Sequence, residues 1–208
     1  MDVAIEPAIS TEQVRIWAGL HGFISLAAVV ALALFFLLGG SSASEPSRWA
    51  WLGPVNDWLA VIGAAPWVVA MILLATYVRA GPWLWVLTVV ACAGAAAIAI
   101  VTLLMLAGRL GLQAQSVVSV GAALVAFAWI AFAGSAAHAA GAVPAWVSVL
   151  AVAIIVAFVV GGIVAGLGYV SAAGSALQTT LYIVGGSLVG LSWFAFPAWW
   201  LILAPTLA

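Results

Sequence analysis

Lysine is absent from the 208 residues, and four Arg with five Asp plus Glu leave only 4% of the chain charged and a formal net charge of -1. A soluble surface carries roughly 25–35% charged residues, so this chain cannot clothe a water-facing globule. So few cations also exclude a polybasic nucleic-acid surface, whose affinity comes from many Lys and Arg contacts to phosphate. Without Lys there is no Schiff base to retinal or another aldehyde. One cysteine, Cys92, excludes an intramolecular disulfide, a CxxC redox pair and a Cys-based zinc cage. Four scattered Arg make no intramembrane row of the kind a voltage sensor needs.

What the chain does have is apolar bulk: 68% hydrophobic residues, 12 Trp and 21 Gly, with a mean hydropathy of +1.37. A hydrocarbon core of about 30 Å is crossed by roughly 20 apolar helical residues. Six such runs are expected, at about 19–38, 58–77, 83–107, 117–137, 145–167 and 181–203. Breaks fall at Gly39 to Ser42, Gly81-Pro82, Gly108 to Gly111, Gly141 to Pro144 and Gly168 to Thr180. The predicted fold is all-α, a polytopic transmembrane bundle of six spans. Residues 1–18 form a tail with an interfacial turn capped by Ser10-Thr11-Glu12-Gln13, and 19–208 form one domain. A cleavable signal ending near Ser41-Ser42-Ala43 is disfavoured, because three acids against one Arg precede the apolar run.

Trp prefers the interface, where the ring is half buried and the indole N–H meets water or a headgroup. Six spans put Trp17, Trp83, Trp85, Trp146, Trp199 and Trp200 at the side where the chain starts. Trp49, Trp51 and Trp58 fall on the opposite side, and Trp67, Trp129 and Trp193 at interior depth. An even span count places both termini on one side. Arg15 and Arg79 balance Arg48 and Arg109 across the two sides, so the positive-inside rule is tied. The cytoplasmic side is expected for the termini because the turns there are short and the longest loop lies opposite.

In lipid, helices associate through close backbone approach, which makes small residues informative. Gly162 to Gly166 and Gly186 to Gly190 are GxxxG pairs and predict a fifth-to-sixth helix contact or a homodimer seam. The third span, nearly bulk-free from Ala91 to Ala99, is expected at the bundle centre. Pro66 and Pro197 fall inside spans and free the carbonyls of Ile62 and Trp193, with Ser192 a candidate to satisfy the latter. Such carbonyls can bind a cation or a substrate in broken helices.

Asp57 is the carboxylate nearest an apolar run. With Pro54 and Asn56 it is expected to start the second helix, where its charge meets the positive helix end; a pair with Arg48 or Arg109 and an ion site are the alternatives. His21 and His138 fall on one side, and a shared haem or metal, with Glu12 as third ligand, is weighed against two solvated interfacial imidazoles. The second is preferred, so no cofactor is expected. No carboxylate pair lies inside a span, and no His is placed at mid-depth to activate Ser25, Ser148, Ser187 or Ser192. Enzyme activity is not expected.

Arg15 to Leu20, Gly53 to Leu59 and Gly190 to Trp200 together resemble segments of small six-helix bacterial integral membrane proteins of about this length. That resemblance implies the six-helix fold and the Asn56-Asp57 and Pro197-Trp199 landmarks, and no activity. The expected function is therefore non-catalytic: structural, assembly or regulatory work through contacts with membrane lipids, other membrane proteins or a second copy. The competing expectation is a small transporter or channel for a neutral or lipophilic solute, built on the two proline kinks, Asp57 and the interior Trp.

Overall fold

A computed structural model describes residues 9–38 and 47–208. These form six α-helices and, among the described residues, no strand: α1 Thr11–Leu37, α2 Leu52–Tyr77, α3 Pro82–Leu106, α4 Leu112–Ala139, α5 Ala145–Val170 and α6 Ala176–Thr206. All six are long and apolar enough to cross a membrane. At 1.5 Å per residue the shortest extends about 38 Å, beyond the ~30 Å hydrocarbon layer. The acidic tail residues Asp2 and Glu6 and the Gly39 to Ser42 break lie outside the described residues.

Five of the six helices begin earlier than hydropathy alone predicts, α5 starting at the expected Ala145, because helix capping is a backbone matter and does not require apolar residues. Ser10 accepts from the Gln13 amide through its side chain, and the Gln13 side chain accepts in turn from the Ser10 amide. This reciprocal box starts α1 itself, eight residues before the apolar run. The ends of α2, α3 and α4 share one solution. The amides of Ala80, Arg109 and Ala142 donate back to Ala75, Leu104 and Ala137, and the residue before each, Arg79, Gly108 and Gly141, takes a positive φ. This closes orphan carbonyls in a short turn.

Each helix packs on its sequence neighbours, and α6 packs on α1, so the six close into an antiparallel ring. The first and last helices meet at one end. There the Arg15 guanidinium donates to the Leu207 carbonyl, the Tyr77 hydroxyl to the Ala208 carbonyl, and the Ala208 amide to Ala142 at 3.0 Å. This is called the terminal end below, and the opposite one the distal end.

Helix α3 is a ring member rather than the expected central helix, and its most apolar stretch is the least buried of the six. Its small residues serve lateral packing: a Cβ on Gly94 would sit 3.3 Å from that of Ala122 on α4. The space inside the ring is filled instead by aromatic rings. Trp199 and Trp200, expected in an interfacial belt, are fully buried, because α6 continues to Thr206 and carries them inward.

The α5–α6 contact is the most extensive in the bundle, but Gly162, Gly166, Gly186 and Gly190 are not in it. A Cβ at any of the four meets nothing within 4 Å. The close approach runs one residue out of register, through Gly161 and Gly185. Helix phase explains the correction: α5 turns Val147, Ile154, Gly161 and Gly168 inward, a seven-residue repeat that leaves the motif glycines about 100° away. On the neighbouring face of α5, Ser148, Ala151 and Phe158 meet α4, whereas its continuation at Gly162, Gly166 and Tyr169 is exposed.

Candidate functional site

The ring interior converges on His21. It lies on the inward stripe Val14, Ala18, His21 and Ala28 of α1, and is only 2% exposed. Ten residues of rise put it about 15 Å along the axis from Thr11, inside the ring rather than at its end. Two glycines at its level press α1 between its neighbours. A Cβ on Gly22 would lie 2.8 Å from Cγ of Leu201 on α6, and one on Gly63 of α2 would lie 3.0 Å from Cγ2 of Ile24. The residues that follow from this approach are Trp67, one turn from Gly63, and Trp200, beside Leu201.

Those two rings and Phe196 enclose the imidazole. Trp67 stacks on it with centroids 5.2 Å apart and planes 8° off parallel. Trp200 and Phe196 approach edge-on at 5.3 and 5.8 Å. The cluster extends through Phe196 to Phe127 at 5.1 Å, and from Phe127 to Phe158 and Trp193. On the other side Trp129 stacks on Trp200 at 5.6 Å. Offset-stacked and edge-to-face pairs of this kind each contribute about 0.5–1.5 kcal/mol beyond area burial. Ser25, one turn along α1, places its hydroxyl 3.3 Å from Nδ1 of His21.

Two of the three prolines inside helices flank this cluster: Pro66 precedes Trp67 and Pro197 follows Phe196, and both are buried; the third, Pro205, lies in the last turn of α6. Ser192 does not satisfy the carbonyl freed at Trp193, since its hydroxyl donates to Leu188 at 2.9 Å.

Polar pairing in the core is selective. Trp129 Nε1 donates to Thr88 Oγ1 at 2.8 Å, Thr88 itself donating to Leu84, and Trp199 Nε1 donates to the Val147 carbonyl at 3.0 Å. Among the described residues, the buried indole donors of Trp67 and Trp200 have no acceptor. Thr88→Val is expected to leave a third indole unpaired and to cost about 2 kcal/mol, read as thermal unfolding in detergent micelles; Thr88→Ser, which keeps the hydroxyl, should recover most of that loss.

The residues singled out from sequence lie elsewhere. Helix α2 starts at Leu52 with Trp51 as its cap and no side-chain cap bond. Asp57 therefore sits in the second turn and does not cap the helix. Pro54 occupies the first turn, where no intrahelical donor is lost. Asp57 is half buried and its Oδ1 accepts from Asn56 Nδ2 at 3.2 Å. Arg48 lies over the Trp49 ring at 5.1 Å, and Arg109 is exposed in the α3–α4 turn. Asp57 is ten residues, about 15 Å, from Trp67 along α2. His138 is exposed at the end of α4, its Nδ1 3.2 Å from the Val143 carbonyl. The structure does not bring it together with His21, which is buried inside the ring while His138 lies exposed at a helix end. Among the described residues, no three His, Cys, Asp or Glu side chains gather as a metal site.

His21 is the residue that sequence reading treated wrongly: expected as a solvated imidazole, it is buried inside the ring. The signal was present in its helical stripe of small apolar residues and in the adjacent Gly22, which marks close approach on that side of α1. No family model, no curated protein and no solved structure matches this chain.

Proposed function

We propose that this is a non-catalytic multi-pass protein of a bacterial plasma membrane, with both chain ends cytoplasmic, that acts through helix and lipid contacts. The observation that carries the reading is the division of the molecule: an interior packed ring on ring around His21, and an outer surface that offers apolar grooves. The larger, about 380 Å³, is lined by Trp83, Leu84, Val86, Leu87, Val90 and Phe132 of α3 and α4. Its volume and its position on the lipid-facing side of the ring suit an acyl chain, and four of its six residues, Trp83, Val86, Val90 and Phe132, are exposed on that face.

A second reading, a small transporter for a neutral solute, is favoured by one feature: the unpaired indole donors at the proline-flanked cluster. Native mass spectrometry from lipid nanodiscs and a liposome swelling assay with neutral solutes separate the two. The first reading expects lipid retained on the protein, reduced several-fold when Val90→Trp fills the groove, and no swelling above protein-free liposomes. Swelling that disappears in His21→Phe would replace the first reading by the second.

A further inference from the structure

Among the described residues, three buried side-chain polar atoms lack a hydrogen-bond partner: Trp67 Nε1, Trp200 Nε1 and Ser119 Oγ. Four indoles are at least nine-tenths buried in the core, Trp67, Trp129, Trp199 and Trp200. The two that are paired, Trp129 and Trp199, bond to Thr88 and Val147. The two that are not are the two whose rings touch His21. Chance would scatter the orphans; here they border one imidazole. A buried donor without an acceptor costs about 1–3 kcal/mol, so two of them on rings that both touch His21 mark a place where an acceptor would bind favourably. Ser119, ten residues from Trp129 on α4, is about 15 Å away along that helix and takes no part.

The chemistry of the acceptor follows by elimination. Indole N–H groups only donate, so a metal or other cation finds no ligand in them. An anion would need a compensating charge. The nearest Arg on α1 is Arg15, committed to the Leu207 carbonyl at the terminal end, and an uncompensated ion at this depth is costly. A ring-sized guest does not fit between rings whose centroids lie 5.2–5.8 Å apart. What remains is small and uncharged with an oxygen lone pair. Where that oxygen belongs to water, the acceptor nitrogen of neutral His21 and the Ser25 hydroxyl, 3.3 Å from the imidazole, can receive its protons.

We propose that Trp67, Trp200 and His21 form an internal binding site for a small uncharged oxygen acceptor, supplied either by water or by the carbonyl of a small neutral solute. The test is indole ¹⁵N–¹H spectroscopy of the full chain in lipid nanodiscs. Trp67→Phe and Trp200→Phe assign the two resonances, and Trp129 and Trp199, bonded within the same core, serve as references and report that the fold is kept. Magnetisation transfer from water to Trp67 and Trp200, at least tenfold stronger than to the references, supports the site as a water site. Selective shifts of the same two resonances on titration with acetamide support it as a solute site. Resonances of Trp67 and Trp200 that neither receive water magnetisation nor move with acetamide overturn the proposal.

Discussion

Gly185→Ala is expected to destabilise the protein by about 3 kcal/mol, while Gly186→Ala, the next residue, leaves stability unchanged or raises it by up to about 1 kcal/mol. The asymmetry follows from where a methyl group would go. At Gly185 it would lie 2.5 Å from the Ala165 amide nitrogen and 2.6 Å from the Gly161 carbonyl oxygen. Both obstacles are backbone of α5, which can yield only by moving the helix. At Gly186 the same methyl meets nothing within 4 Å, and the substitution only removes the conformational freedom that makes glycine a poor helix residue. Gly161→Ala should behave like Gly185→Ala, since its Cβ would lie 2.8 Å from the Gly185 carbonyl. Gly162→Ala, Gly166→Ala and Gly190→Ala should behave like Gly186→Ala. Unfolding of the variants by SDS titration from mixed micelles reads the difference. Equal losses at Gly185 and Gly186 would mean that the seam runs through the sequence motif after all.

This pair of neighbours also shows what the sequence could and could not reveal. A GxxxG pair marks helices rich in small residues, and α5 and α6 do pack closely. Which glycines touch depends on helix phase, set by the inward Val147, Ile154 and Phe158, and phase shifts by 100° with each residue. Six spans were legible because apolar length is dictated by the bilayer, one segment at a time. Helix starts were less so: Ser10 and Leu52 begin helices on polar or mixed sequence. The cluster at His21 was hidden for a third reason. In a chain with 68% apolar residues, hydropathy has no contrast between lipid-facing and inward faces. Trp199 and Trp200 therefore read like Trp83 and Trp146, although the first two are fully buried and the others exposed.

His21→Ala is expected to cost about 3 kcal/mol, and His21→Phe less than about 1 kcal/mol. In a bilayer the unfolded reference keeps its side chains in lipid, so the transfer part of a large-to-small substitution largely vanishes and the loss of packing remains. The cavity left among Trp67, Phe196 and Trp200 contributes roughly 1–2 kcal/mol. The three ring contacts of His21 contribute about 0.5–1.5 kcal/mol each. A phenyl ring restores the stack on Trp67 and the two edge contacts. Ser25, losing its imidazole partner, can turn its hydroxyl to the backbone carbonyl one turn back, as Ser135 and Ser171 do at 2.8 Å. Thermal unfolding in nanodiscs checks both values. A His21→Phe loss as large as that of His21→Ala would show that the imidazole nitrogens, rather than the ring, hold the centre together. The expected result instead separates shape from chemistry at this position: a ring is what the bundle needs to close. The imidazole nitrogens are then left for the proposed exchange of hydrogen bonds with a bound acceptor, and His21→Phe becomes the folded variant that removes their part in it while keeping the indole donors of Trp67 and Trp200.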